Sequence, residues 1–422
     1  MDGMTHIKVL SVSASPSYEP GASASMSSVF VVVLLAMLLG FQPLTTDLYL
    51  PALPLLSEQL QASVAQTQST FSVMILAFGC SQLVWGPLSD RFGRRPILLL
   101  GIALYALASL GCAVAPDVQA LIVCRALQGA ALGALIMAAR AIVRDLYGAA
   151  QGAHVMSQAL TGLGALACTS PLIGSLLSQH WGWRSTMVVL AIFATGAWLL
   201  VWLRFQESLR QRSAHALQPQ QLAHNYWAIV RNRTFLAYTA TTACSYSALV
   251  VFLTGAPFTF TQVLGWSIHQ VGWLLCSSGI VYMAGTVLCR RLLPRWGGRQ
   301  TVAIAGGLAL ACAALLLTLA LLEVTHGLAY ASAFLLFPLA HGIQQSCGQS
   351  GAVSSFPQTA GMASALNGFI TTVLAFATGL ILGYSFNGTV YPLVFGVSLW
   401  CFAAALASWT LVRRYGVPST TS

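Results

Sequence analysis

Asp47 is the one carboxylate of this chain that falls inside an apolar stretch, "FQPLTTDLYLPALPLL" (41–56). The other eight acids, Asp2, Glu19, Glu58, Asp90, Asp117, Asp145, Glu207 and Glu323, all stand in tails, loops or the ends of apolar runs. An ionised carboxylate in hydrocarbon costs about 3 kcal/mol on insertion scales, so it faces a wet cavity, finds a partner or takes up a proton. The chemistry to expect at Asp47 is therefore reversible protonation. The competing reading is a cap on the outer end of its helix, just before Pro51. Arg125 is the second charge without access to bulk water, in "LIVCRALQGAALGA" (121–134). A cation close by favours the ionised carboxylate and dehydration favours the neutral one. Arg125 is thus expected either to modulate protonation of Asp47 or to serve as a fixed hydrogen-bond hub.

Polar residues recur at helical spacing in the second half: Thr239, Thr242 and Tyr246, and His341, Gln345 and Gly348 beside Gln344 and Gln349, with Asn367 further on. Such stripes face protein rather than lipid, either as interhelical glue or as the wall of a pocket. Tyr49, Gln128, Thr242, Tyr246, Gln344, Gln345 and Asn367 form the expected substrate pocket. His341 is a second candidate proton site, because an unperturbed imidazole titrates near pH 6.5; the alternative is a satisfied interhelical hydrogen bonder.

The elements that must hold these residues are membrane helices. Of the 422 residues 57% are hydrophobic and 7% charged, against about 25% charged in soluble domains. Twelve apolar runs of spanning length predict an all-α membrane protein of twelve helices. Basic residues gather at one side (Arg91, Arg94, Arg95; Arg290, Arg291, Arg295, Arg299; Arg413, Arg414), while the outer loops hold Arg184 with Glu58, Asp117 and Glu323. With basic residues kept cytoplasmic, both termini are expected in the cytoplasm. The net charge of +10 then reflects topology and not a nucleic-acid surface. Residues 1–27 and 415–422 read as cytoplasmic tails, the first disordered; 28–204 and 234–414 read as two six-helix halves, joined by a cytoplasmic linker at 205–233. The halves repeat weakly: "GPLSDRFGRRPILL" follows the second run and "CRRLLPRWGGRQTV" the eighth. Repeated halves are a mark of secondary transporters, with the substrate near midplane between them.

Several chemistries are excluded. A P-loop needs a lysine, and the chain's one lysine is Lys8. No H-E-x-x-H run is present, and the ten cysteines stand singly with no C-x-x-C pair, so neither a disulfide framework nor a zinc site is indicated. No cofactor or metal is expected.

"GPLSDRFGRRP" (86–96) resembles the signature loop of the major facilitator superfamily, through Gly86, Asp90, Arg91, Gly93, Arg94 and Arg95. "LIVCRALQGAALGA" is similar to that superfamily's fourth-helix motif, in Arg125, Gln128 and Gly129. "TDLYLPALP" and "WGWRSTM" (181–187) narrow the resemblance to Bcr/CflA-type drug:proton antiporters. It spans essentially residues 28–414. The fifth-helix stretch "GLGALACTSPLIGS" (162–175) departs from the usual antiporter pattern, with Ser170 before Pro171, yet keeps the small-residue face of Gly164, Pro171 and Gly174. The resemblance implies alternating access, export of small drugs or other amphipathic molecules in exchange for protons, an inner-membrane location and a working monomer. It also implies that Asp90 approaches the start of the eleventh span, with Arg94 paired to Asp145, as a latch between states. The alternatives are a dedicated purine- or nucleoside-like metabolite carrier of the same fold, and a membrane-embedded sensor without transport.

Overall fold

The structure is a computed structural model that describes residues 27–209, 218–356 and 359–416. The expected tails, apart from Ser27, Tyr415 and Gly416, and residues 210–217 of the expected linker lie outside the described residues. The first half comprises α1 (Ser28–Asp47), α2 (Leu53–Gln59), α3 (Val64–Phe92), α4 (Arg94–Ala113), α5 (Val118–Leu146), α6 (Ala149–Trp181) and α7 (Arg184–Arg204). A short helix, α8 (Pro219–Val230), precedes the second half: α9 (Arg233–Phe258), α10 (Ile268–Leu321), α11 (Gly327–Phe334), α12 (Leu336–Ser354), α13 (Ala360–Ser385), α14 (Tyr391–Ala407) and α15 (Arg413–Tyr415).

Ten of these helical stretches are long and apolar enough to cross a bilayer. One of them, α10, has 54 residues, about 80 Å if straight and enough for two crossings of a hydrocarbon core about 30 Å thick. It is broken at Gly297, where φ is +71°. Helices α11 and α12, interrupted only at Leu335, supply one more crossing. Twelve spans in two sets of six result.

Capping makes the internal repeat visible. Helix α3 opens on a reciprocal pair, Ser63 Oγ accepting from Gln66 N–H and Gln66 Oε1 from Ser63 N–H, and α10 opens on the same pair from Ser267 and Gln270. Each pair satisfies two amide groups that the first turn leaves free. Thirty residues on, each helix is stopped by a left-handed glycine, Gly93 at φ +109° and Gly297 at φ +71°, a backbone conformation that side chains resist. The matching start and stop show that α3 and the first part of α10 are equivalent elements.

Large apolar side chains point away from the bundle: Leu107, Ile192, Leu203, Leu321 and Leu399 are each more than 60% exposed. Such a surface is at home against lipid. Exposed aromatics band its two ends, with Trp181, Trp273 and Tyr384 at one and Trp202, Trp227 and Trp296 at the other, basic end, as expected at membrane interfaces.

The halves meet along α3 against α13 and α6 against α10, while α1 lies on α6. These seams depend on missing side chains. A Cβ at Gly174 of α6 would overlap the Leu48 backbone, and one at Gly272 of α10 would press on Ser175 and Pro171. We expect Gly174→Val to prise α1 from α6 and cost about 1–3 kcal/mol. Thermal unfolding in detergent checks this, with Gly196→Val as control, because nothing lies within 4 Å of a Cβ there.

Candidate functional site

Two cavities run along the seam between the halves. The larger, about 660 Å³, is lined by α1, α5, α6, α9, α10 and α12 and receives Asp47, Tyr246, His341 and Gln345. The smaller, about 560 Å³, lies at the basic end among Asp90, Arg94, Arg144, Asp145 and the start of α13. Arg140 and Ser364 border both. The smaller cavity reaches the surface beside Asp90 and Arg144, whose side chains are 42% and 63% exposed. At the far end the seam is tied by Gln68 Nε2, which donates to the Thr254 carbonyl at 3.1 Å.

Asp47 closes α1, and its carboxylate accepts from the neighbouring Thr46 hydroxyl at 2.7 Å. No cation lies within 4 Å of it among the described residues. Its walls are mainly apolar, including Leu39, Phe71, Leu163, Leu249 and Leu275. His341 shares a 2.8 Å hydrogen bond between Nδ1 and Ser245 Oγ, with the rings of Tyr282, Phe337 and Tyr246 centred 5.5, 5.6 and 6.4 Å from its own. The structure thus brings Asp47, Tyr246, His341 and Gln345 to one cavity.

Arg125 does not join them. Its guanidinium, fully buried, donates to Gln128 Oε1 at 2.6 Å and to the Thr45 carbonyl at 3.4 Å, and stacks 4.5 Å from the centre of the Tyr49 ring. Thr45 and Asp47 are two residues apart, about 200° around a helix of 3.6 residues per turn. The face of α1 that Arg125 holds is therefore the face turned away from Asp47. Gln128 in turn donates to Ser109 Oγ at 2.7 Å, and Tyr49 shares a 2.7 Å hydrogen bond with Thr70. Sequence spacing placed Arg125 and Asp47 at similar depth, and depth alone says nothing about facing. Arg125 is a hub inside the first half, and Tyr49 and Gln128 belong to that hub rather than to the cavity wall.

Three more of the expected pocket residues lie elsewhere. Thr242 donates to Asn367 Oδ1 at 3.2 Å, which ties α9 to α13. Gln344 is fully buried, with no hydrogen-bond partner for its amide among the described residues, and it does not border the larger cavity, whereas the adjacent Gln345 does.

The loop at the basic end is a compact charge cluster. Arg94, 2% exposed, pairs with Asp90 at 2.7 Å and Asp145 at 2.8 Å and donates to Ser89 Oγ at 2.9 Å. Asp90 also lies 3.8 Å from Arg144. Asp90 and the start of α13 face the smaller cavity together, and no hydrogen bond joins them among the described residues. Arg91 stacks on Phe92. Gly86 lines the smaller cavity. Glu207, which sequence reading left in the linker, caps α4 by accepting from the Arg94 and Arg95 amides at 2.8 and 3.2 Å, a favourable place for a carboxylate. Pro171 borders the larger cavity and Gly164 packs on Met283 of α10, so α6 carries both seam and wall.

Arg140 and Tyr282 were not expected in the site. Arg140 had a readable signal: it stands one turn before Arg144, inside a run that "ARAIVRDLYG" keeps apolar. A count inward from the basic end of α5 puts it about 9 Å short of Leu146, too deep to be a loop charge.

Residues 35–380 match the family model described as Major Facilitator Superfamily. A chloramphenicol resistance protein of Pseudomonas aeruginosa is 29% identical over 352 residues, 82% of this chain and 82% of that protein. A bicyclomycin resistance protein homolog of Haemophilus influenzae is 25% identical over 389 residues, 92% of this chain and 97% of that protein. Among solved structures, a D-xylose-proton symporter superposes with a TM-score of 0.72 over 94% of this chain and 99% of that one, at 17% identity; at that identity the likeness speaks for the fold alone.

Proposed function

The chain belongs to the Major Facilitator Superfamily, a multi-pass membrane transporter and not an enzyme, and from that premise we infer that it exports small amphipathic drugs in exchange for protons. The observation that carries the reading is Asp47, the one carboxylate lining a largely apolar cavity between the two halves, with no protein cation within 4 Å. Such a group must exchange its charge with whatever enters: a proton neutralises it, or a substrate's polar end replaces the proton. The relatives named for resistance to chloramphenicol and bicyclomycin supply the substrate class. The walls fit it, because apolar side chains with few directional groups accept varied amphipathic bodies.

The basic end is the cytoplasmic one by the distribution of arginines, with both termini there, in the inner membrane of a bacterial-type cell, and the protein works as a monomer. On this orientation the cavities open to the cytoplasm. Asp90, engaged by Arg94 and Arg144 and set across the smaller cavity from α13, is the released arm of the latch. It would reach the positive end of the α13 dipole once the halves close there.

The test is substrate-induced proton release from detergent-purified protein in weak buffer, with chloramphenicol, bicyclomycin and a set of nucleobases. Release on adding either drug is expected. Release with nucleobases alone would assign a metabolite carrier, and silence throughout would overturn proton exchange.

A further inference from the structure

Arg140 is the one guanidinium lining the larger cavity, as Asp47 is its one carboxylate. Arg140 projects from α5 of the first half and donates through Nη1 to Ser364 Oγ on α13 of the second, at 3.0 Å. No carboxylate lies within 4 Å of it among the described residues. That sets it apart from Arg94, deep in the same half and held by two acids. A guanidinium has five donors in a planar fork and never gives up its proton in a protein. A neutral hydroxyl takes one of those donors here, which leaves most of the fork turned to space that a ligand shares. Cations placed in an apolar-walled site are normally paired, and a carboxylate fits the fork with two parallel hydrogen bonds.

We propose that Arg140 is a specificity-determining residue that binds the carboxylate of a zwitterionic substrate whose ammonium end meets Asp47. This rests on the export reading and narrows it. The two charges belong to opposite parts of one cavity: Asp47 ends α1 away from the basic side, whereas Arg140 also borders the basic-end cavity. A ligand with its ammonium and carboxylate at opposite ends of an apolar body matches both. The arrangement also accounts for exchange. An ammonium at Asp47 and a proton on Asp47 exclude one another, while the carboxylate at Arg140 holds the molecule in either case. A lipophilic cation without an acceptor would set its charge in a cavity that already contains Arg140, and is disfavoured.

The test compares ciprofloxacin, an elongated zwitterion, with its methyl ester, which keeps the amine and the ring system and loses the carboxylate. Binding to the purified full chain is measured by equilibrium dialysis. The wild type is expected to bind the acid about tenfold more tightly than the ester, as one charge-assisted bidentate contact implies. Arg140→Gln should abolish that preference by weakening the acid, with the ester changed by less than about threefold, and Arg140→Lys should retain part of it. Ser364→Ala, which removes the cross-seam hydrogen bond and keeps the charge, should preserve the preference. A wild type without preference, including one that binds neither compound, overturns the proposal whatever the proton-release assay gives. Equal losses for acid and ester in Arg140→Gln, or a lost preference in Ser364→Ala, would make Arg140 a strut between the halves. Proton release with chloramphenicol is independent of these arms, so export can stand where the carboxylate site falls.

Discussion

Asp47→Asn is expected to lower drug-driven proton release and coupled export by about two orders of magnitude or more, because an exchange that needs a proton on a carboxyl group has none left. The substitution is close to isosteric, and the amide oxygen still accepts from Thr46, the hydrogen bond Asp47 makes at 2.7 Å. No ion pair is broken by it. The variant should therefore fold, keep its thermal midpoint and still bind neutral ligands, which touch the rest of the wall. Asp47→Glu restores a titrating carboxyl one methylene further into the cavity and should recover part of the exchange. Proton release measured beside equilibrium binding separates the outcomes. Lost binding in Asp47→Asn would make the residue a ligand contact; unchanged release would transfer the proton to His341, the other titratable group at physiological pH in the same cavity.

Most of the architecture was legible in the sequence because the bilayer leaves few choices. Backbone groups in hydrocarbon must be satisfied within helices, so apolar runs translate directly into spans, and arginines mark one end. The two places where counting needed the structure are informative. Span nine is fused to span eight through Gly297, since a single left-handed residue turns the chain without interrupting the helical pattern on either side. Span ten is divided at Leu335, so neither of its pieces has the length and hydropathy of a crossing helix. The site was less legible, for a geometric reason. Sequence fixes depth well, at about 1.5 Å per residue, but azimuth poorly, because each residue turns about 100° and bends accumulate at Pro43 and Pro171. Asp47, Tyr246, His341 and Gln345 were found by type. Tyr49, Gln128, Thr242, Gln344 and Asn367 were chosen by the same reasoning and turn to other faces. Arg140 was passed over because Arg144, one turn on, stands where a loop charge belongs.

The same difference between depth and direction decides what substitution at Arg125 should do. If Arg125 governed protonation at Asp47, Arg125→Leu would alter proton release and leave a stable protein. The geometry predicts the reverse. Removal of the guanidinium leaves Gln128 Oε1 without its 2.6 Å donor and Tyr49 without its cation, in a region where Arg125, Gln128 and Tyr49 are all fully buried. A buried acceptor that loses its partner costs about 1–3 kcal/mol, and the cavity left by the side chain adds to that. The expected loss is about 3 kcal/mol or more, roughly 5 °C or more in thermal midpoint. Arg125→Lys should recover little of it, since one ammonium cannot span the Thr45 carbonyl and Gln128 while lying flat on Tyr49. Proton release per folded molecule, measured well below the midpoint, should stay within about threefold of wild type, because Arg125 faces away from the cavity that holds Asp47 and so contributes little to its charge balance. Both variants will lose activity in cells, and only the division between stability and release per folded molecule tells a hub from a modulator. A stable Arg125→Leu protein with altered proton release would show that Arg125 turns toward Asp47 in another state of the transport cycle.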